Sequence, residues 1–240
     1  LDFKHQNITD YTRELNISNA TSSVTYKSNG EKITEKVFVS NPNNVIVVEL
    51  ASEAGFNGKI RLTRPKDMGF ETATTAVNNQ LLIMNGEVTQ RGGTFDSKPA
   101  PILNGVKFET RLKAVNENGK ILYGDAFLEL QNVKNITLYI VSNSSYYYQD
   151  YQQQNEIDLN TIESTSLEAI KSRHVKDYKK LFDRVQLKLK SSDLDSLTTT
   201  ERLARVKKEG TDIGLETLLF QFGRYLLISS SREGTNPANL

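Results

Sequence analysis

The sequence predicts an antiparallel β-sandwich joined by a helical linker to the start of a helical domain. Three observations carry this reading. Up to about residue 145, short runs alternate apolar and polar residues between turn signals. After about residue 155 the apolar spacing changes to that of an amphipathic helix. Near the end, a third helical run is apolar on most sides, as in a helix buried on most sides.

The strands come first. "SVTYKSNGEKITEKVFVS" places Val24 and Tyr26 before Asn29-Gly30, and Ile33, Val37 and Val39 after it. Asn-Gly between such runs predicts a hairpin, because both residues tolerate positive φ. "NNVIVVEL" is a continuous apolar run and predicts a strand covered on both faces. "GVKFETRLKAV" alternates Val106, Phe108, Thr110, Leu112 and Ala114, and "NENGK" predicts a chain reversal at Asn118-Gly119. "DAFLELQNVKNITLYIV" adds Ala126, Leu128, Leu130, Ile136, Leu138 and Ile140. Short strands punctuated by turns predict the sandwich.

The helices follow. Thr165-x-x-Glu168 has the spacing of a capping box, and Leu167, Ile170, His174, Tyr178, Leu181 and Phe182 then share one stripe. Val185, Leu187 and Leu189 alternate and predict a short strand. Thr198-x-x-Glu201 caps a second helix that stops at Gly210. Asp212 caps a third, whose stripe is Leu215, Leu218, Leu219, Phe222, Tyr225, Leu226 and Ile228, with Phe220 and Leu227 outside it. The domain reading is residues 1–150 for the sandwich, 151–198 for the helical linker with its short strand, and 199–240 for the start of the helical domain.

Composition narrows the function. Lys and Arg number 30 against 29 Asp and Glu, a balance that disfavours a nucleic-acid or membrane-surface binder. There is no cysteine, so disulfides, zinc knuckles and a thiol nucleophile are excluded. Sequons occur at Asn7, Asn16, Asn19, Asn135 and Asn143, and in so Asn-rich a chain chance accounts for them. Neither histidine has partners at metal-ligand spacing. His5 lies in a polar lead-in, and His174 reads as a hydrogen-bonded interior residue. No nucleophile elbow or phosphate loop is present. No catalytic, cofactor-binding or metal-binding residue is therefore assigned, and no cofactor is expected. "YYYQDYQQQ", residues 146–154, allows two readings. Tyr146, Tyr147, Tyr148 and Tyr151 could stack on sugar rings, or the stretch could be a strand edge running into a solvated linker.

Four stretches, taken in order, resemble one family. They are "YTRELNISNATSSVTYKSNGEKITEKVFVSNPNNVIVVEL", "GVKFETRLKAVNENGKILYGDAFLELQNVKNITLYIVSNSSY", "RHVKDYKKLFDRVQLKL" and "TTTERLARVKKEGTDIGLETLLFQFGRYLLISSSREGTNPANL". The family is the α-L-fucosidase-like glycoside hydrolases, family 95. The resemblance implies a partial N-terminal supersandwich, a linker, and the first helix of an (α/α)6 barrel. It implies a fragment whose parent is an inverting exo-α-L-fucosidase or α-L-galactosidase, with the acid and the water-activating residues beyond Leu240. The glycan substrate would be met through the barrel, with no nucleic-acid or membrane partner, and the fragment could pair with itself. The expected location is the periplasm or exterior of a bacterium. The alternative reading is a stand-alone carbohydrate-binding sandwich.

Overall fold

Alternating strands dominate the chain up to Ser144, and helices follow from Tyr151. The computed structural model of the chain describes residues 1–65, 72–91, 102–189 and 196–238. The strands are β1 (Asp2–Phe3), β2 (Ile8–Asn16), β3 (Thr21–Ser28), β4 (Glu31–Ser40), β5 (Val45–Ile60), β6 (Ala73–Asn78), β7 (Leu81–Arg91), β8 (Ile102–Asn116), β9 (Lys120–Tyr123) and β10 (Leu128–Ser144). The helices are α1 (Tyr151–Glu163), α2 (Leu167–Phe182), α3 (Thr199–Glu209) and α4 (Ile213–Ser230). Residues 1–15 and 21–174 form one compact unit, and residues 16–20 with 175–240 form a second.

In the first unit the strands order as β2-β3-β4-β5-β10-β8-β7-β6, with β1 on β5 and β9 on β10, and the pairings from β3 through to β6, with those of β1 and β9, are antiparallel. Asn29 and Gly30 sit at φ 52° and 85°, the two positive values a tight hairpin between β3 and β4 requires. β5 and β10 are long, and their register slips between Leu130 and Val133 and again between Val133 and Asn135. Such bulges bend and twist a ladder. The edge strand β6 thereby reaches the far end of the same sheet. Ala76 N donates to Asp125 O at 2.8 Å, and the Thr74 hydroxyl donates to Leu62 O at 3.1 Å. The sheet closes over a core that includes Leu50, Phe56, Ile60, Leu82, Leu128 and Leu138, which makes it a sandwich.

The opposite face is covered by helices. Phe38, Val45, Val47 and Val141 pack with Leu159 and Ile162 of α1 and Ile170 of α2. β5 is covered on both faces only in part: Val45 and Val47 face the helices and Leu50 the sandwich core, but Ile46, opposite Val45 and Val47, is exposed, so the continuous apolar run overstates the cover.

Three expectations about turns and caps in the first unit need correction. Asn118-Gly119 does not reverse the chain, because β8 and β9 both pair with β10 and lie end to end along it. Gly119, at φ 78°, instead lets the backbone jog past Asn132, whose carbonyl oxygen would stand 2.4 Å from any added Cβ. Residues 146–154 are not a strand edge running into a linker. β10 stops at Ser144, and Asp150 starts α1 by accepting Gln153 N at 3.0 Å. The capping residue of α2 is Ser166, whose hydroxyl accepts Ala169 N at 3.3 Å, while the Thr165 hydroxyl donates back to Thr161 O in the turn that ends α1. The hairpin β6–β7 gave no signal, because its turn at Asn79-Gln80 holds neither Gly nor Pro.

The second unit follows its sequence more closely. α3 opens on a complete capping box: Glu201 N donates to the Thr198 hydroxyl, and the Glu201 carboxylate accepts Thr198 N at 2.7 Å. Gly210 ends the helix at φ 92°. Asp212 caps α4. The alternating residues Val185 to Leu189 form no strand. The segment is irregular, since alternation needs a free ladder edge to pair with.

Candidate functional site

Carboxylates are the first groups to weigh. In the first unit they gather where α1 meets β8 and β10. Glu109 of β8 is buried. Its Oε1 accepts Arg111 Nε at 2.7 Å and Asn155 Nδ2 at 3.2 Å. Asp158 Oδ2 accepts Asn44 Nδ2 and Asn143 Nδ2, each at 2.8 Å, and its Oδ1 accepts Gln154 Nε2 at 2.9 Å. Asn155 is fully buried, donates to Glu109 O at 2.9 Å and accepts from Asn143 Nδ2 at 2.9 Å. A polar cluster this well satisfied positions a helix. Its acceptors are occupied by protein donors, which fasten α1 to β8 and β10.

The same cluster settles one sequon. The Asn143 amide is buried and hydrogen-bonded, whereas Asn7 and Asn135 are exposed. Sequence alone does not separate them.

The histidines are both packed. His174 is buried, with its ring 4.9 Å from that of Phe38. His5 belongs to no polar lead-in. Its ring stacks on Phe3 at 5.4 Å, Nδ1 lies 2.7 Å from the Tyr26 hydroxyl, and burial lowers its pKa. Among the described residues no group of three His, Asp or Glu is placed to hold a metal ion. Among the described residues no helix is long and apolar enough to cross a membrane.

The tyrosines stand apart from the core. Tyr146 is 64% exposed and Tyr147 57%, with Tyr148 also exposed, and the first two rings meet edge-on at 4.8 Å. Both ends of their turn are held by backbone. Ser145 N donates to Lys107 O, and Tyr148 N to Ser144 O. Tyr151, in the first turn of α1, is half-buried.

In the second unit, arginines do the fastening. Asp212 accepts Arg202 Nε at 2.8 Å and Nη2 at 2.7 Å, a buried two-pronged pair, and also accepts Leu215 N at 2.9 Å. The Arg202 hydrogen bonds hold its pKa down at about 2. Arg224 of α4 donates to the carbonyls of Phe182 and Val185 at 2.8 and 2.7 Å and lies over the Phe182 ring. Arg232 donates to Ile228 O at 2.7 Å and to Asp177 at 2.9 Å, so the segment after α4 is tied back to α2. Sequence alone marked Asp212 as a cap but gave no sign of its arginine, ten residues earlier.

Known proteins supply the class. Residues 1–149 match the model of the glycosyl hydrolase family 65, N-terminal domain, and residues 166–240 match that of the glycosyl hydrolase family 95 catalytic domain. Together they define a glycosyl hydrolase sandwich followed by a segment of catalytic-domain type. Alpha-L-fucosidase 2 of Arabidopsis thaliana is 28% identical over 264 residues, an alignment covering 100% of this chain and 31% of that protein. A probable alpha-fucosidase A of Aspergillus niger is 27% identical over 97% of this chain and 30% of its own length. A solved structure, a putative kojibiose phosphorylase from human microbiome, superposes with a TM-score of 0.52 at 11% identity, covering 80% of this chain and 27% of that one. This last likeness shows the fold alone. The chain belongs to the glycosyl hydrolases with a family 65 N-terminal-type sandwich, and its residues 166–240 are of the family 95 catalytic-domain type, with alpha-fucosidases as relatives. It spans about a third of the length of the curated relatives it matches.

Proposed function

We propose that this chain is the non-catalytic N-terminal and linker portion of an inverting glycosidase that removes terminal α-L-fucose or α-L-galactose from glycans. The observation that carries this is the alignment of the whole chain with about a third of an alpha-L-fucosidase, in which residues 166–240 fall in the catalytic-domain family. The occupied carboxylates beside α1 support a scaffolding role. The sandwich and linker carry and orient the barrel, and the barrel holds the general acid and the activated water. The glycan is met there, and no nucleic acid or membrane takes part. The place of action is the periplasm or the outside of a bacterial cell, where a fold without cysteine is indifferent to redox conditions.

The test uses an aryl α-L-fucoside with the pure chain and with the longer protein containing it. The longer protein should release fucose first as the anomer opposite to the substrate, read by proton NMR, and the chain alone should be inert. Turnover by the pure chain, abolished by replacing one of its own carboxylates, would overturn the assignment. Retention by the longer protein would overturn the inverting mechanism.

A further inference from the structure

We propose that Tyr146, Tyr147 and Tyr148, with Tyr151 beside them, form a carbohydrate-binding surface on the sandwich unit. Folding does not explain the first three. Each is exposed, and none joins either apolar core. Exposed aromatic groups that cluster, where single exposed residues would be unremarkable, mark contact surfaces. This cluster is also held in place. Tyr147 N and Tyr148 N both donate to Ser144 O, Lys107 N donates to the Ser145 hydroxyl at 3.0 Å, and Asp150 locks the start of α1. A ligand would therefore meet rings whose backbone is already ordered.

The surrounding chemistry selects the ligand. From Asn143 to Asn155 the sequence reads NSSYYYQDYQQQN. It has no aliphatic side chain, no cation, and one charge, Asp150, engaged as a helix cap. The structure brings two cations beside it: Arg111, which donates to Gln152 O at 3.2 Å and has its charge met by Glu109 at 2.7 Å, and Lys107, which is joined to Ser145 through its backbone. One lysine beyond that ion pair is a weak draw for phosphates or an anionic surface. Nor does it resemble the uncovered apolar face of this same molecule, on α4, which is built of Leu and Phe. What it offers is aromatic rings for the C–H faces of a pyranose, with phenol hydroxyls and the exposed Gln152 and Gln153 for its hydroxyls. That combination fits a neutral polysaccharide. The choice of probe rests on the reading of the parent as a glycosidase.

The experiment is native electrophoresis of the chain through gels holding galactomannan, arabinoxylan or dextran. At least one polymer should retard it, and Tyr146→Ala with Tyr147→Ala should raise the polymer concentration needed for half-maximal retardation about tenfold. The melting temperature of the double variant should be unchanged, since neither ring is packed. Hydrolysis of an aryl α-L-fucoside by the longer protein is measured in parallel and should persist in the variant. No retardation in any gel, or retardation indifferent to the double substitution, overturns the proposal and leaves the glycosidase reading standing if hydrolysis is intact. A double variant that changes only from self-associating to monomeric would assign the rings to a second copy of the chain, and also overturns it.

Discussion

Asp212 accepts from Arg202 and from the first turn of α4 at once, and this gives the second unit an acid-sensitive joint. Its folded pKa, about 2, lies below the ordinary value of 3.8. A depressed carboxyl pKa stabilises the fold at pH above the ordinary value. That contribution is lost as pH falls from about 4 toward 2. Amide protection factors in α3 and α4 should therefore fall as pH drops across that window, and Asp212→Asn should be less protected at pH 6 and flatter across the window. Equal protection of both proteins at pH 6 would dismiss the joint. His174 makes a different kind of statement. Its ring is buried against Phe38, so His174→Ala should destabilise by about 1–3 kcal/mol through lost packing. A thermal melt that does not move would show the ring to be dispensable.

Among the elements, α2 offers the sharpest check, because two adjacent hydroxyls compete for one role. Ser166 accepts the amide of Ala169, whereas Thr165 bonds back into α1. Ser166→Ala should cost about 1 kcal/mol and Thr165→Ala less. The reverse order in urea melts would restore the capping box read from Thr165 and Glu168. The comparison also shows what a sequence can display. Local chemistry was legible: Asn29-Gly30, the box at Thr198 and Glu201, Gly210 and Asp212 each act through neighbours within a few residues. Features set by distant partners were not legible. The jog at Gly119 exists because the backbone of Asn132 lies beside it, and Val185 to Leu189 alternate without an edge to join. The tyrosine cluster was visible as composition, but its exposure depended on where β10 stops. The fastening of Asn155 to Glu109 crosses 46 residues, and no spacing rule reaches that far.

At the scale of the whole molecule, α4 is the element with the most exposed apolar side chains to account for. The sequence stripe and the exposed face do not coincide. Leu215, Leu218, Tyr225 and Ile228 are half-buried, while Leu219 is 68% exposed, Leu227 60%, and Phe220 and Leu226 nearly half. Four large apolar side chains thus form one wet patch a turn or two long. Full burial of each is worth roughly 1.5–3 kcal/mol, and about half of that remains to be gained, so one face offers on the order of 3–6 kcal/mol. Two copies meeting about a two-fold axis would double the gain. Association costs about 4–15 kcal/mol in lost freedom, so the net gain is at most about 8 kcal/mol and a dimer through this face would be micromolar at its tightest. Light scattering of the chain should accordingly show a mass that climbs with concentration. Leu219→Glu with Leu227→Glu should hold it at the monomer value, and should leave the melting temperature of the dilute protein within about 2 °C, because neither side chain is packed. Phe222 is the wrong residue for this test, since its ring stacks on Tyr225 at 5.9 Å and its loss would disturb the helix from within. A mass that stays monomeric at every concentration, or that climbs equally in the double variant, would show that α4 is not the surface through which copies meet.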